Sequence, residues 1–142
     1  MALKYHVPAG TVVLCDFNTG FRPPEMVKRR PAVVVSHRLA FRDRLCTVVP
    51  LGQSGPERDV VYQCQISLDR ELPPPFAYKT FWAKADMFAT VSLDRLDLFH
   101  TVRDHTGRRR YLQPRLNAKD LKQVRTCILH ALGMEDLTVH LR

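Results

Sequence analysis

The residues best suited to do chemistry are Lys84 and Asp86, two positions apart at the end of a segment, about Tyr78 to Ala85, that reads as a strand. Alternate side chains of a strand project to one face. The spacing therefore sets a carboxylate that can take a proton beside a cation that can hold an anion. Residue types alone favour a plainer outcome, an exposed ion pair that contributes little. Trp82 falls on the same face. A tryptophan beside cations can stack an unpaired base, worth about 1–3 kcal/mol per base in single-strand binders. A lone tryptophan in an apolar stretch is more often core, and core is the expectation here.

Other chemistry is thinly supplied. Cys15, Cys46, Cys64 and Cys127 form no close pair and no CxxC. Three of them sit inside apolar runs, where a free cysteine behaves as a small hydrophobe. The six histidines are scattered, with no HExxH and no Cys/His ladder, so neither a metal nor a cofactor is expected. Formal net charge is +8 and the pI is near 9.7. Such a surface attracts phosphate backbones or an acidic protein segment. The excess concentrates in Lys28-Arg29-Arg30 and Arg108-Arg109-Arg110, and each run alone is ordinary for a solvated loop.

The elements that must position these groups are short. The chain of 142 residues is one domain's worth, and 45% hydrophobic residues suffice for a core. Ten prolines point to many brief elements joined by turns. No apolar leader or membrane-length stretch occurs, so the cytoplasm is the expected location and no membrane partner is expected. Strands are expected at Thr11–Phe17, Pro31–Ser36, Leu45–Leu51, Asp59–Leu68 and Tyr78–Ala85, with a long turn-rich loop between the first two. In the fourth, Cys64, Ile66 and Leu68 alternate with Gln63, Gln65 and Ser67. Ser92 can cap a helical turn, and Leu98–Val102 with Arg109–Leu112 can form a hairpin around Asp104–Gly107. The last element is a helix capped by Asn117 and ended at Gly133, with Leu121, Val124, Ile128 and Leu132 as its apolar stripe. The solution is α+β and mainly β, a strongly bent sheet or small barrel with a packed C-terminal helix.

Several segments, in order, resemble the PemK/MazF toxins of type II toxin–antitoxin systems. They are Gly10-Thr11-Val12-Val13-Leu14-Cys15-Asp16-Phe17, then Thr19-Gly20, then Arg30-Pro31-Ala32-Val33-Val34-Val35-Ser36. Thr47-Val48-Val49-Pro50-Leu51 is similar to the family's third strand. Lys84-Ala85-Asp86, with the threonine-containing stretch to Val91, is similar to its basic-x-Asp segment. The resemblance spans most of residues 10 to 96, and the terminal helix fits it. It implies a small SH3-like antiparallel barrel, usually homodimeric, made beside an antitoxin protein that blocks the RNA groove. The implied activity is metal-independent, sequence-selective cleavage of single-stranded RNA through the neighbouring 2′-hydroxyl.

On that resemblance Asp86 is the general base, Lys84 the acid or a phosphate ligand, and Arg30 the bidentate phosphate clamp. Lys28, Arg29, Gly52, Gln53, Ser54 and Thr90 are the expected RNA contacts. Two positions depart from the family. Gly52 stands where many members carry a phosphate-holding hydroxyl, with Ser54 the nearest substitute, and Phe21 stands where many carry a polar residue. Losing one preorganised donor can cost about 10²–10³ in rate, although a glycine turn's N–H groups can take over. Two other readings follow: a nucleic-acid-binding regulator of the same fold with weakened cleavage, or a gyrase-directed protein poison that would not depend on Arg30, Lys84 and Asp86.

Overall fold

In a computed structural model, which describes residues 2–142, nine strands, one α-helix and three 3₁₀ turns follow one another. Strands β1 (Val12–Asp16), β2 (Arg29–Val34), β3 (Leu45–Gly52), β4 (Gln63–Ser67), β5 (Thr80–Lys84), β6 (Ala89–Ser92) and β7 (Leu96–Asp97) build one antiparallel sheet. Its order is β4-β5-β3-β2-β1-β7, with β6 also paired to β3. Strand β3 can serve β6 along its first part, β2 along its middle and β5 at its end because it is the longest strand. The fold is α+β and mainly β, as expected, but β4 and β7 remain edges and the barrel does not close.

Two apolar layers cover the two faces of the sheet. Val12, Val33, Val49, Leu51, Ile66, Phe81 and Ala83 point to one side, where Val124 and Cys127 of the helix α1 (Ala118–Ala131) pack on them. Val13, Cys15, Ala32, Val34, Cys46 and Val48 point to the other and meet Leu3, Val7, Phe17 and Leu93. This double burial explains why β1 and β2 read as continuous apolar runs.

The expected boundaries move in informative ways. Strand β2 starts at Arg29, ahead of the expected Pro31, because Asp16 and Cys15 pair with Arg29 and Arg30. The two arginines are therefore strand residues whose side chains leave on opposite faces. Residues 59–62 stay outside β4, and β5 stops at Lys84. Ser92 caps its turn by accepting from the Asp94 N–H at 3.1 Å, and Asn117 caps α1 by accepting from the Asp120 N–H at 2.7 Å. Gly133 ends the helix at φ +71°. The buried stripe of α1 runs through Val124 and Cys127, and Leu132, expected on it, is 51% exposed. The hairpin forms as β8 (Phe99–His100) and β9 (Tyr111–Leu112).

Candidate nucleic-acid interface

Sheet register decides which candidate residues meet. Arg30 lies two residues before Ala32, and Gly52 two residues after Pro50, the partner of Ala32. Continued by two residues, that register runs Arg30 towards Gly52. Gly52 in turn pairs with Trp82 of β5. Trp82 and Lys84 alternate with the core residues Phe81 and Ala83, so they face away from α1. Arg30, Gly52, Trp82 and Lys84 thus share one face of three neighbouring strands, and Gln63 joins them as the partner of Lys84 on β4.

The 52–55 turn folds over this face. Gln53 donates its Nε2 to the Thr80 carbonyl at 3.0 Å, and Lys84 donates its Nζ to the Ser54 carbonyl at 2.9 Å. The lysine reaches that carbonyl across Gly52: a Cβ placed on Gly52 would lie 3.0 Å from Lys84 Cε. Gly55 lies still closer to its neighbour, since a Cβ there would stand 2.6 Å from Trp82 Cε2. Trp82 is therefore not core, as expected from composition, but half-buried on the outer face against Gly55.

Asp86 is placed by a different device. After Lys84 the chain leaves the extended conformation and Ala85–Met87 make a 3₁₀ turn. The spacing of two no longer puts both side chains on one strand face, and among the described residues Lys84 and Asp86 form no ion pair. The Asp86 carboxylate is exposed and accepts from Gln63 Nε2 at 3.4 Å. It borders a cleft of about 520 Å³ with Phe21, Glu25 and Met26 of the long loop. Phe21 closes that loop down: its ring meets Phe17 edge-on at 5.1 Å, and the Arg95 guanidinium lies 4.9 Å from its centre. Phe21 serves packing here. Arg30 is half-buried and held by donation of its Nε to the Val27 carbonyl at 3.0 Å, which leaves its terminal nitrogens for a ligand.

Other expected RNA contacts lie elsewhere. Arg29 points to the opposite face of β2 and pairs with Asp97 at 3.0 Å. Thr90 exchanges a hydroxyl hydrogen bond with Thr47 at 2.7 Å, near the far end of β3 from Gly52. Lys28 is exposed at the loop's end with φ +73°. Gln63 was not among the expected site residues. Its signal was its place on the polar side of the β4 alternation, which marks exposure but not a partner. Its Oε1 is buried without a hydrogen-bond partner. Among the described residues no three His, Cys, Asp or Glu side chains converge as a metal-binding group.

The fold is shared with solved toxins. An endoribonuclease in complex with its cognate antitoxin, from a mycobacterial species, superposes with a TM-score of 0.60 at 18% identity, over 91% of this chain and 97% of that one. MazF of Deinococcus radiodurans gives 0.57 at 23% identity, over 91% and 99%. The toxin MazF-mt6 of Mycobacterium tuberculosis gives 0.57 at 13% identity, over 87% and 97%. In sequence the chain is 30% identical over 124 residues to an uncharacterised protein of Haemophilus influenzae, covering 79% of this chain and 83% of that one. The family pattern itself matches residues 9–132, the sheet and the helix together, and the chain belongs to the PemK-like, MazF-like toxins of type II toxin–antitoxin systems.

Proposed function

We propose that this toxin is an endoribonuclease that cuts single-stranded RNA by attack of the neighbouring 2′-hydroxyl. The observation that carries the reading is the sharing of one sheet face by Arg30, the 52–55 turn, Trp82 and Lys84, with Asp86 at its border. Asp86 takes the 2′-hydroxyl proton as the oxygen bonds to phosphorus. Arg30 offers its planar terminal nitrogens to two phosphate oxygens. Lys84 has three N–H bonds and uses one on Ser54, so two are left for the phosphate and the departing 5′-oxygen. The P–O5′ bond breaks, leaving a 2′,3′-cyclic phosphate and a 5′-hydroxyl. Backbone N–H groups of the glycine turn take the place of the missing hydroxyl.

The partners implied are single-stranded RNA, a second copy of the chain and a cognate antitoxin covering the groove. The antitoxin is supported by the neighbouring structure described as an endoribonuclease with its cognate antitoxin. The test is cleavage of a long single-stranded RNA in EDTA by the protein, Arg30→Ala and Asp86→Asn, with the new ends mapped. Discrete cuts ending in cyclic phosphate, slowed by about 10²–10⁴ in each variant, support the reading. RNA bound but left intact by folded protein would make the groove a regulator's binding site. Gyrase-dependent DNA breaks unaffected by the two substitutions would move the target to a protein.

A further inference from the structure

One strongly charged element takes no part in the groove. The β8–β9 hairpin carries Arg103, Arg108, Arg109 and Arg110 against a single acid, Asp104. Its root is tied down: Phe99 and Leu112 pack in the helix-side core, and Phe99 meets Phe76 edge-on at 6.3 Å. Beyond the root, residues 102–111 are all exposed.

The tip is ordered from within. Asp104 Oδ1 accepts from the N–H groups of Thr106 and Arg108 at 2.8 and 3.0 Å and from the Thr106 hydroxyl at 2.6 Å. Those bonds hold its carboxyl below the usual carboxylate range and turn its charge into the loop. Gly107 takes φ +82°, and Arg103 donates to its carbonyl at 2.9 Å. Among the described residues none of the four arginines has a carboxylate partner. The hairpin thus presents a run of guanidinium groups without ion-pair partners, Arg110 at the edge of a cleft it shares with Asp69 and Glu71, and Tyr111 58% exposed beside His100 at 6.0 Å.

Position links this row to the groove. The hairpin root and Pro73–Pro75 enclose a depression of about 440 Å³, with His100 and Arg29 both on its wall. Arg29 is the β2 neighbour of Arg30 and leaves on the opposite face. Arg29 thus links the strand that carries Arg30 to the wall it shares with His100.

We infer that the β8–β9 hairpin is a second RNA-holding arm, gripping the phosphate backbone of single-stranded RNA outside the cleavage groove through Arg108, Arg109 and Arg110. The inference rests on the groove being an RNA site. Chemistry favours RNA over an acidic protein. The centre of a protein interface is depleted of charge, and beside its arginines the hairpin offers only Val102 and Tyr111. Guanidinium groups interleaved with an exposed aromatic suit a backbone with unpaired bases.

The test uses uncleavable 2′-O-methyl RNA in two lengths, one filling only the groove and one several times longer. Two variants of the full chain are compared with the parent: Arg108→Ala/Arg109→Ala/Arg110→Ala, and replacement of residues 102–109 by asparagine-glycine. The second keeps the pairing of Thr101 with Arg110 and a two-residue turn. The parent is expected to bind the long strand more tightly and with a steeper salt dependence. Both variants should lose about tenfold or more on the long strand, with the log–log salt slope of the triple variant shallower by about 2, from about 0.7 per phosphate on single strands. Equal affinity of the parent for both lengths, or variants that bind as the parent does, would overturn the arm. So would loss of an acidic antitoxin peptide with RNA binding intact. Length-dependent binding of the methylated strands, with no cutting of the same long strand made of unmodified RNA, would keep the arm while sinking the ribonuclease reading. Cutting that needs Arg30 but ignores the hairpin would do the reverse.

Discussion

At the scale of single residues, two glycines decide how the site is built, and neither does so through an unusual φ. Gly52 leaves room for the Lys84 side chain, whose Cε would lie 3.0 Å from an added Cβ. The atom that must yield is the far end of a flexible chain, so Gly52→Ser should change stability by no more than about 0.5 kcal/mol. It should nevertheless slow cleavage, because the lysine is pushed off the Ser54 carbonyl while the new hydroxyl arrives in its path. A faster Gly52→Ser enzyme in single-turnover assays would show that a hydroxyl at this position, and not the lysine's placement, limits the site. Gly55 is the harsher case, with Trp82 Cε2 at 2.6 Å from an added Cβ. An indole cannot bend aside as a lysine can. Gly55→Ala should therefore cost roughly 1–3 kcal/mol in urea unfolding, as overpacking does. Trp82 is the only tryptophan, so its emission reports the displacement directly. An unchanged spectrum and midpoint would mean the indole does not pack on this turn.

At the scale of elements, what could be read from the sequence divides along the difference between local and long-range causes. The Asn117 cap, the Gly133 stop and the Ser92 turn were legible because each is a bond between near neighbours in the chain. The apolar runs of β1 to β3 were legible because both faces of the sheet are covered. The 3₁₀ turn that carries Asp86 was not, since nothing in Lys84-Ala85-Asp86 forbids a strand from continuing, and the break is set by tertiary packing around buried Ala85. Trp82 was misplaced for a related reason. Its outward direction follows from the β5 register against Gly52, a contact thirty residues away. The split of Arg29 from Arg30 likewise needed the pairing with Asp16 and Cys15. The Asn117 cap can be tested at its own scale. Asn117→Ala removes one acceptor from the first turn of α1 and should cost about 1 kcal/mol. Asp120, which also accepts from the Ser67 N–H at 3.3 Å, would lose part of its anchorage. A change in thermal midpoint indistinguishable from zero would mean α1 is held by its buried Val124 and Cys127 alone.

At the scale of the whole molecule, the two apolar layers make the protein sensitive to alkali through groups that take no part in the chemistry. All four cysteines are free and buried. Burial pushes the Cys15 thiol up from 9.0 to about 12, against a partial downward pull from Arg95. Burial likewise raises Cys46 to about 11, against the hydrogen bond from Ser36. Below pH 9 both thiols hold their protons in the folded and the unfolded chain, and their contribution to stability is fully present. Between about pH 9 and pH 12 the unfolded chain releases protons that the folded chain retains. Unfolding then becomes easier as pH rises. Lysines and tyrosines titrate in the same window, so the parent's curve alone does not isolate the thiols. Cys15→Ala does, because its core lacks one of them. At pH 7 it should be the less stable protein, for it leaves a small cavity beside Val13 and Phe17. As pH rises from 9 to 12 the parent alone loses the Cys15 contribution, so the gap between the two urea midpoints should narrow. A gap that stays constant over that range would show that Cys15 ionises alike in the folded and unfolded chain, and that the layer containing it is open to water.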